Sequence, residues 1–294
     1  MNGLTNYITE KNWEDPITTW HVLIDDAYQR WIERRGEPLR SRGPAPEVRD
    51  SEIITIGLII EVYFQGHEAV GYAFVGQYLH DLFPRMLAVD RFNVRRRALI
   101  GAIEVIRRDL RDQKLDRREK VRLVDSAPIT TMTYTRGKRS QSLVGSNYFG
   151  VIPSKKTKFL GLRLHRTSTP EQLIDEWLLA PAATHDLKVL DALVIDNGDV
   201  VIVGDKAYND AALEQRLWEK RRIQLLPLRR VTHKQQWPDP VRRVLGYVRH
   251  RIETAFSVLS TSFNIQRPRG RSLAGHVVRI ATCILAYTLS FFMV

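Results

Sequence analysis

Cysteine and long apolar runs are both scarce in this chain. Cys283 is the only cysteine among 294 residues, which excludes an internal disulfide and indicates a reducing compartment. The apolar C-terminal stretch, Ile280 to Val294, is shorter than the roughly 20 residues that cross a bilayer, so it predicts a buried helix. Met1 to Asn12 has no apolar core and does not resemble a secretory signal. These absences predict a cytoplasmic protein with no membrane partner.

Acidic residues are in the minority. Lys and Arg number 45 and Asp and Glu 33, which gives a net charge of +12 at pH 7. Such a surplus favours a polyanionic partner, either nucleic acid or an anionic membrane surface. Clusters of basic residues in predicted loops and helix ends can bind phosphates, although a single one more often covers a solvated face. They are Arg136, Lys138 and Arg139; Lys155, Lys156 and Lys158; Arg229 and Arg230; and Arg267, Arg269 and Arg271.

Residues 1–115 show helical periodicity and predict an all-α N-terminal domain. Trp20, Leu23, Ile24, Ala27 and Trp31 share one face of a helix that ends near Gly36. Three further helices are predicted, and they begin at Asp50 or Ser51, at His67 and after Asp90.

The pattern changes near Val121, and residues 116–294 predict a second domain. Its elements follow the order strand, strand, strand, helix, strand, helix, strand, helix, which indicates an α/β mixed sheet flanked by helices. This is also the element order of the RNase H fold. The predicted strands are Val121–Asp125, Lys158–His165, Gln172–Leu179, Val200–Val203 and Ile223–Leu228, of which Gln172–Leu179 could instead be helical. The last helix is Val241–Phe263.

Three carboxylates have unusual positions in this second domain. Asp125 ends the first predicted strand, Asp205 follows the fourth, and Glu253 lies inside the last helix. Strand ends in an open α/β sheet converge on one crevice, where two acids would repel each other without a cation between them. Hard oxygen ligands select Mg²⁺ or Mn²⁺, and two such ions can promote displacement at a phosphodiester.

Two of the acids also have a structural interpretation. Asp125 precedes Ser126-Ala127-Pro128 and could cap a turn. Glu253 could be a solvated helix residue, paired with Arg249 one turn earlier.

Taken together, the sequences around the acids resemble a known family. Val124-Asp125-Ser126, the run Gly204 to Tyr208, and the helix segment Tyr247 to Glu253 resemble the three acid motifs of the DDE transposases of bacterial insertion sequences. The second is similar to the Asp-x-(Gly/Ala)-(Tyr/Phe) block, and the third has an Arg four positions before the Glu. Gly246 and Ser260 stand where many relatives have Tyr and Lys, which indicates a divergent subgroup.

The resemblance implies an enzyme with catalytic, metal-binding acids Asp125, Asp205 and Glu253 and with two Mg²⁺ or Mn²⁺ ions. It would cleave double-stranded DNA at terminal inverted repeats, transfer strands into target DNA, and form a homodimer in a nucleoid-associated complex. The N-terminal helices would then bind DNA ends or dimerise. The alternatives are an RNase H-fold nuclease or resolvase without strand transfer, and a catalytically silent DNA-binding derivative.

Further DNA contacts are assigned on chemical grounds. His185 could contact the scissile phosphate or cap a helix, and Trp237 could stack on a base or pack on neighbouring prolines. With Tyr247, Arg249 and the loop residues Lys155, Lys156, Arg229, Arg230, Arg267, Arg269 and Arg271, they form the predicted DNA-binding set.

Overall fold

The computed structural model describes residues 14–39, 43, 46–152, 155–229 and 236–293, except for the side chains at positions 244 and 248–254. Contacts between residues group the chain into two units. Unit 1 comprises Met1–Lys114 and Ser262–Val294, and unit 2 comprises Leu115–Thr261.

Unit 1 is helical. Its helices are α1 (Glu14–Arg35), α2 (Asp50–Phe64), α3 (Glu68–Tyr78), α4 (Val89–Ala98), α5 (Ile100–Lys114) and α10 (Leu273–Leu289). Trp20, Ile24 and Ala27 of α1 are buried, as their spacing predicts. The fourth predicted helix is two helices, because the chain breaks at Leu99, whose amide donates to the carbonyls of Arg95 and Arg96.

Helix α10 is apolar on nearly every side and lies within unit 1, where it packs on α2 and α5. By length and composition, Leu273–Phe292 is the one unbroken helix in the described residues that could cross a membrane, and 72% of its most apolar window is buried in the protein. The bent pair α2–α3 passes the same test only if counted as one span. The sequence analysis assigned residues 116–294 to one domain. In the structure, residues 262–294 group with the N-terminal helices.

A charged cluster lies in the core of unit 1. The side chain of Glu61 is fully buried and accepts from two arginines, with 2.7 Å to Arg96 Nη2 and 2.8 Å to Arg279 Nη2. Cys283 is also buried, and its Sγ lies 3.8 Å from Glu61 Oε2. Two guanidinium groups around one carboxylate supply the hydrogen bonds that a buried charge requires.

Unit 2 contains a six-stranded sheet in which the path β2-β3-β1-β5-β6 is continuous and β4 also pairs with β3. The β3 pairings with β1, β2 and β4 are antiparallel, and the β1–β5 and β5–β6 pairings are parallel. The strands are β1 (Val121–Thr133), β2 (Phe149–Ile152), β3 (Thr157–Ser168), β4 (Ile174–Pro181), β5 (Val201–Gly204) and β6 (Gln224–Pro227). The helices are the single turn α6 (Tyr134–Gly137), α7 (Asp186–Leu193), α8 (Ala211–Arg221) and α9 (Asp239–Phe263).

Side chains alternate between the two faces of this sheet, and helices cover both faces. Val124 and Ile202 pack with residues of α7 and α8, while Leu123 and Val203 pack with Leu245 of α9. The predicted RNase H-like α/β fold, with a mixed sheet between helices and a helical region before it, is therefore confirmed. The short strand β2 was not predicted.

Strand β1 continues eight residues past its predicted end at Asp125. The prediction that Asp125 ends this strand was therefore wrong. Parallel pairing with β5 stops at Val124, but antiparallel pairing with β3 runs on to Thr133. One edge of β1 thus lacks a strand partner beyond Asp125 within the described residues, and such an edge tolerates Pro128.

Candidate active site

Asp125 and Asp205 are brought together by the parallel pairing of β1 and β5. The last paired residues are Val124 and Gly204, and each aspartate follows its paired residue directly. Neighbouring strands lie about 4.8 Å apart, so the two carboxylates emerge side by side. Gly204 is required here, since a Cβ would lie 2.9 Å from both Tyr208 Cδ2 and Val124 Cγ1.

Asp125 shares a sheet face with Leu123, which is the face that α9 covers. Directly opposite on β3 is Arg166, whose fully buried guanidinium lies 4.4 Å from the ring of Phe256 on α9. The backbone amide of Ser126 donates to Asp125 Oδ1 at 2.8 Å. Asp125 therefore lies among a cation, an amide and the helix that carries the third predicted acid.

Burial raises the pKa of the Asp125 carboxyl to about 7. The Arg166 guanidinium and the Ser126 amide lower this pKa, whereas the negative charges of Asp205 and Asp186 raise it. A carboxyl whose ionisation is disfavoured both by burial and by neighbouring acids is a site that a bound cation would stabilise.

The raised pKa predicts pH-dependent stability in the metal-free protein. An aspartate with a folded-state pKa of about 7 and an unfolded-state value near 3.8 holds its proton more tightly when folded. The protonated Asp125 carboxyl therefore contributes fully to the stability of the folded state below about pH 4. This contribution, on the order of a few kcal/mol, is lost as the pH rises towards 7. Urea unfolding should show that Asp125→Asn gains stability relative to the parent between pH 5 and pH 8.

The control for this prediction is Asp191→Asn, which removes a surface carboxylate of unit 2 that pairs with Arg216, and an arginine stays charged throughout this pH range. Its difference from the parent in free energy of unfolding should be the same at pH 5 and at pH 8. A constant difference for Asp125→Asn as well would contradict the assigned pKa.

Asp205 is exposed and begins the 3-10 turn Lys206–Tyr208, where its Oδ1 accepts from the amide of Ala207 at 2.8 Å. The turn fixes the direction of the carboxylate and places Tyr208 beneath it, buried at 1% exposure.

The opposite sheet face carries polar residues that the sequence interpretation missed. His165 and Arg163 of β3 lie across from Ser126 and Pro128, and Arg163 Nη1 donates to Ser126 Oγ at 3.2 Å. His165 Nδ1 lies 3.4 Å from Asp186 Oδ1, and burial lowers the pKa of this histidine to about 4. The sequence did contain a sign of this polar group. Arg163, His165 and Arg166 are three basic residues that interrupt the apolar strand β3, which has partners on both edges.

Tyr208 also belongs to this polar group. Its hydroxyl is buried and has no hydrogen-bond partner among the described residues. Burial raises its pKa well above 10, and the charges of Asp186, Asp125 and Asp205 raise it further. Tyr208, the tyrosine of the second acid motif, is thus a buried neutral residue near Asp125 and Asp205.

Among the described side chains, no group of three or more His, Cys, Asp or Glu residues could hold a metal ion. The side chain of the third predicted acid, Glu253, lies outside the described residues, as does that of Arg249. The donor chemistry of the two aspartates still fits a hard divalent ion, because both offer carboxylate oxygens at adjacent positions.

Two of the predicted DNA-contact residues have structural roles. His185 is the N-cap of α7, and its Nδ1 accepts from the amide of Leu187 at 3.3 Å. Trp237 donates from Nε1 to the carbonyl of Pro227 at 2.8 Å, and the guanidinium of Arg229 lies 3.8 Å from its ring. Base stacking on that face of Trp237 would require Arg229 to move.

The other predicted contact residues differ in exposure. Arg229 is mostly buried and also lies 3.5 Å from Glu214, whereas Arg230 lies outside the described residues. Those exposed on unit 2 are Tyr247, Lys155 and Lys156, and those exposed on unit 1 are Arg267, Arg269 and Arg271.

The model of a protein family described as the transposase DDE domain matches residues 116–289. No curated protein and no solved structure matches the chain. The match contains Asp125, Asp205 and the position of Glu253, and it covers more than half of the chain.

Proposed function

This chain belongs to the transposase DDE domain family, and we propose that it is a DNA transposase that cleaves the ends of a mobile element and joins them to target DNA. Members of this family act on DNA and generally use divalent metal ions. The observation that carries the proposal is the adjacency of Asp125 and Asp205, which follow the last paired residues of two parallel strands.

The acids Asp125, Asp205 and Glu253 would hold two Mg²⁺ or Mn²⁺ ions. When bound, such ions activate a water or 3′-hydroxyl and stabilise the leaving oxygen of an in-line displacement. The protein supplies the positions of the ligands. The Ser126 amide fixes one oxygen of Asp125, and the turn after β5 fixes one oxygen of Asp205.

The position of residue 253 on α9 supports its place in this set. Helix positions three apart share a face, so position 253 falls on the face of Phe256. Phe256 contacts Arg166, and Arg166 is the cross-strand neighbour of Asp125. The same helix face therefore leads from Phe256 to the region of the two aspartates.

Arg166 would orient Asp125 rather than react. It is fully buried, it donates to Ser168 Oγ at 2.7 Å, and its positive charge offsets part of the repulsion between the acids. A buried cation beside the carboxylate favours its ionised form, which is the form that binds metal ions.

The proposed partners are double-stranded DNA at terminal inverted repeats, target DNA, and a second copy of the chain in a synaptic complex. The exposed residues Tyr247, Lys155 and Lys156 of unit 2 are proposed to contact the DNA backbone, together with His185 and Arg249. Contacts from Trp237 and Arg229 would require rearrangement, because these side chains pack on each other.

The test incubates the purified full-length chain with labelled DNA that carries the flanks of its own coding element, with Mg²⁺ or Mn²⁺, and scores both nicked and joined products. The proposal predicts both products, and neither in the presence of a chelator. Nicking without joining would replace the proposal with a nuclease. Binding with neither product would indicate a silent derivative.

A further inference from the structure

Unit 1 contains a cavity of about 640 Å³ that is rich in arginine. It is formed by the start of α3, by α4, and by the loop that leads into α10. Its charged lining consists of five arginines and two acids, which are Arg96, Arg97, Arg269, Arg271, Arg279, Glu68 and Asp90. Every lining residue belongs to unit 1, so none of the acids proposed to be catalytic lines this cavity.

The positive charges in the cavity are not all balanced. Arg96 and Arg279 both bind the buried Glu61, and Arg96 Nη1 also lies 3.7 Å from Glu68. Three arginines remain, Arg97, Arg269 and Arg271, and none of them forms an ion pair with a described residue. The only other acid of the lining is Asp90. The cavity therefore has a surplus of positive charge.

The backbone adds to this surplus. Helix α10 begins at the cavity with Ser272 as its N-cap, and Ser272 Oγ accepts from the amide of Gly275 at 3.1 Å. No acidic residue occupies the first turn of this 17-residue helix, so its own side chains do not neutralise the positive end of the dipole.

A second observation concerns Arg279, which lines the cavity and is 6% exposed. Its Nε and Nη2 atoms donate to Glu61, but its buried Nη1 atom has no hydrogen-bond partner in the described part of the chain. A buried guanidinium nitrogen without a hydrogen bond is unfavourable, and an anionic acceptor bound in the cavity beside Arg279 would stabilise it.

We propose that this cavity binds a backbone phosphate of DNA. The inference rests on the proposed function for the choice of DNA over another source of phosphate. The arrangement also favours a polymer, because Arg269 and Arg271 are exposed whereas Arg279 is buried, so that cations extend from the interior to the surface. Phosphate contacts of this kind position a protein on the duplex without reading its sequence.

The test measures the affinity of the full-length chain for a labelled duplex of arbitrary sequence, without divalent ions, over a series of salt concentrations. Arg97→Gln, Arg269→Gln and Arg271→Gln are compared with Arg85→Gln, which removes an exposed arginine of unit 1 outside the cavity lining. Each cavity variant should bind about tenfold more weakly at low salt. Its salt slope should fall by about one relative to the parent.

The titration contains no divalent ions, so it measures DNA binding independently of the metal site. If the chain lacks transposase activity, the cavity variants should still weaken DNA binding, so the two proposals fail separately. Equal affinities for the cavity variants and Arg85→Gln would overturn the cavity proposal. So would binding of inorganic phosphate that requires the cavity arginines while the cavity variants keep the parent's affinity for the duplex, since the cavity would then bind a free phosphate.

Discussion

Asparagine at position 125 or 205 should reduce metal-dependent DNA cleavage by roughly 10³-fold or more, and Glu253→Gln should do the same. The substitutions keep the size of each side chain and remove the negative charge that a divalent ion requires. DNA affinity without metal ions should be unchanged or slightly higher, because a negative charge near the phosphates is lost. The measurements are a cleavage assay with labelled element-end DNA and a binding titration.

The matched control is Asp191→Asn on α7 of the same unit. Asp191 pairs with Arg216 at 2.8 Å on the surface, so its removal should change neither cleavage nor binding. Full activity in the Asp125, Asp205 and Glu253 variants would overturn the assignment of the metal site. Loss of activity in Asp191→Asn to the same extent would show that the assay reports folding rather than chemistry.

Replacing Glu61 by glutamine should destabilise unit 1 by roughly 3 to 5 kcal/mol, which is the usual cost of removing one partner from a buried ion pair. Glutamine fills the same space but leaves the guanidinium groups of Arg96 and Arg279 without their shared carboxylate. The midpoint of thermal unfolding should fall by on the order of 10 °C. Thermal and urea unfolding, followed by circular dichroism, measure this change.

The control is Glu37→Gln, since Glu37 pairs with Arg35 at 3.2 Å where both side chains are exposed. Its effect should stay within about 1 kcal/mol. A triple variant with methionine at positions 61, 96 and 279 tests the cause, because removing all three charges together should restore stability. An unchanged unfolding midpoint in Glu61→Gln, or no recovery in the triple variant, would contradict the role of charge in this core.

The strand that leads to Asp205 and the helix that carries position 253 could be predicted because their local patterns agree with the tertiary structure. The apolar run Val200 to Val203 is a buried central strand, and it leads directly to Asp205. The long helix from Asp239 to Phe263 was predicted within two residues at its start, because its apolar spacing matches the face that covers the sheet.

Other features depend on pairing that a single sequence does not reveal. Ser126-Ala127-Pro128 resembles a turn, but antiparallel pairing with β3 extends the strand through it. The partners of Arg166 and His165 are set by register, which brings Asp125 and Ser126 opposite them. Likewise, the packing of α10 with the N-terminal helices follows from burial of apolar surface between segments far apart in the sequence.

The shared carboxylate of unit 1 has a consequence for synthesis on the ribosome. Glu61 and Arg279 are 218 residues apart, so the glutamate leaves the exit tunnel long before its second arginine has been translated. Until then, the Glu61 carboxylate must remain hydrated, although it is buried in the finished protein. Unit 1 should therefore reach its final packing only after α10 has been synthesised, and chains that stop before α10 should be targets for chaperones and proteases.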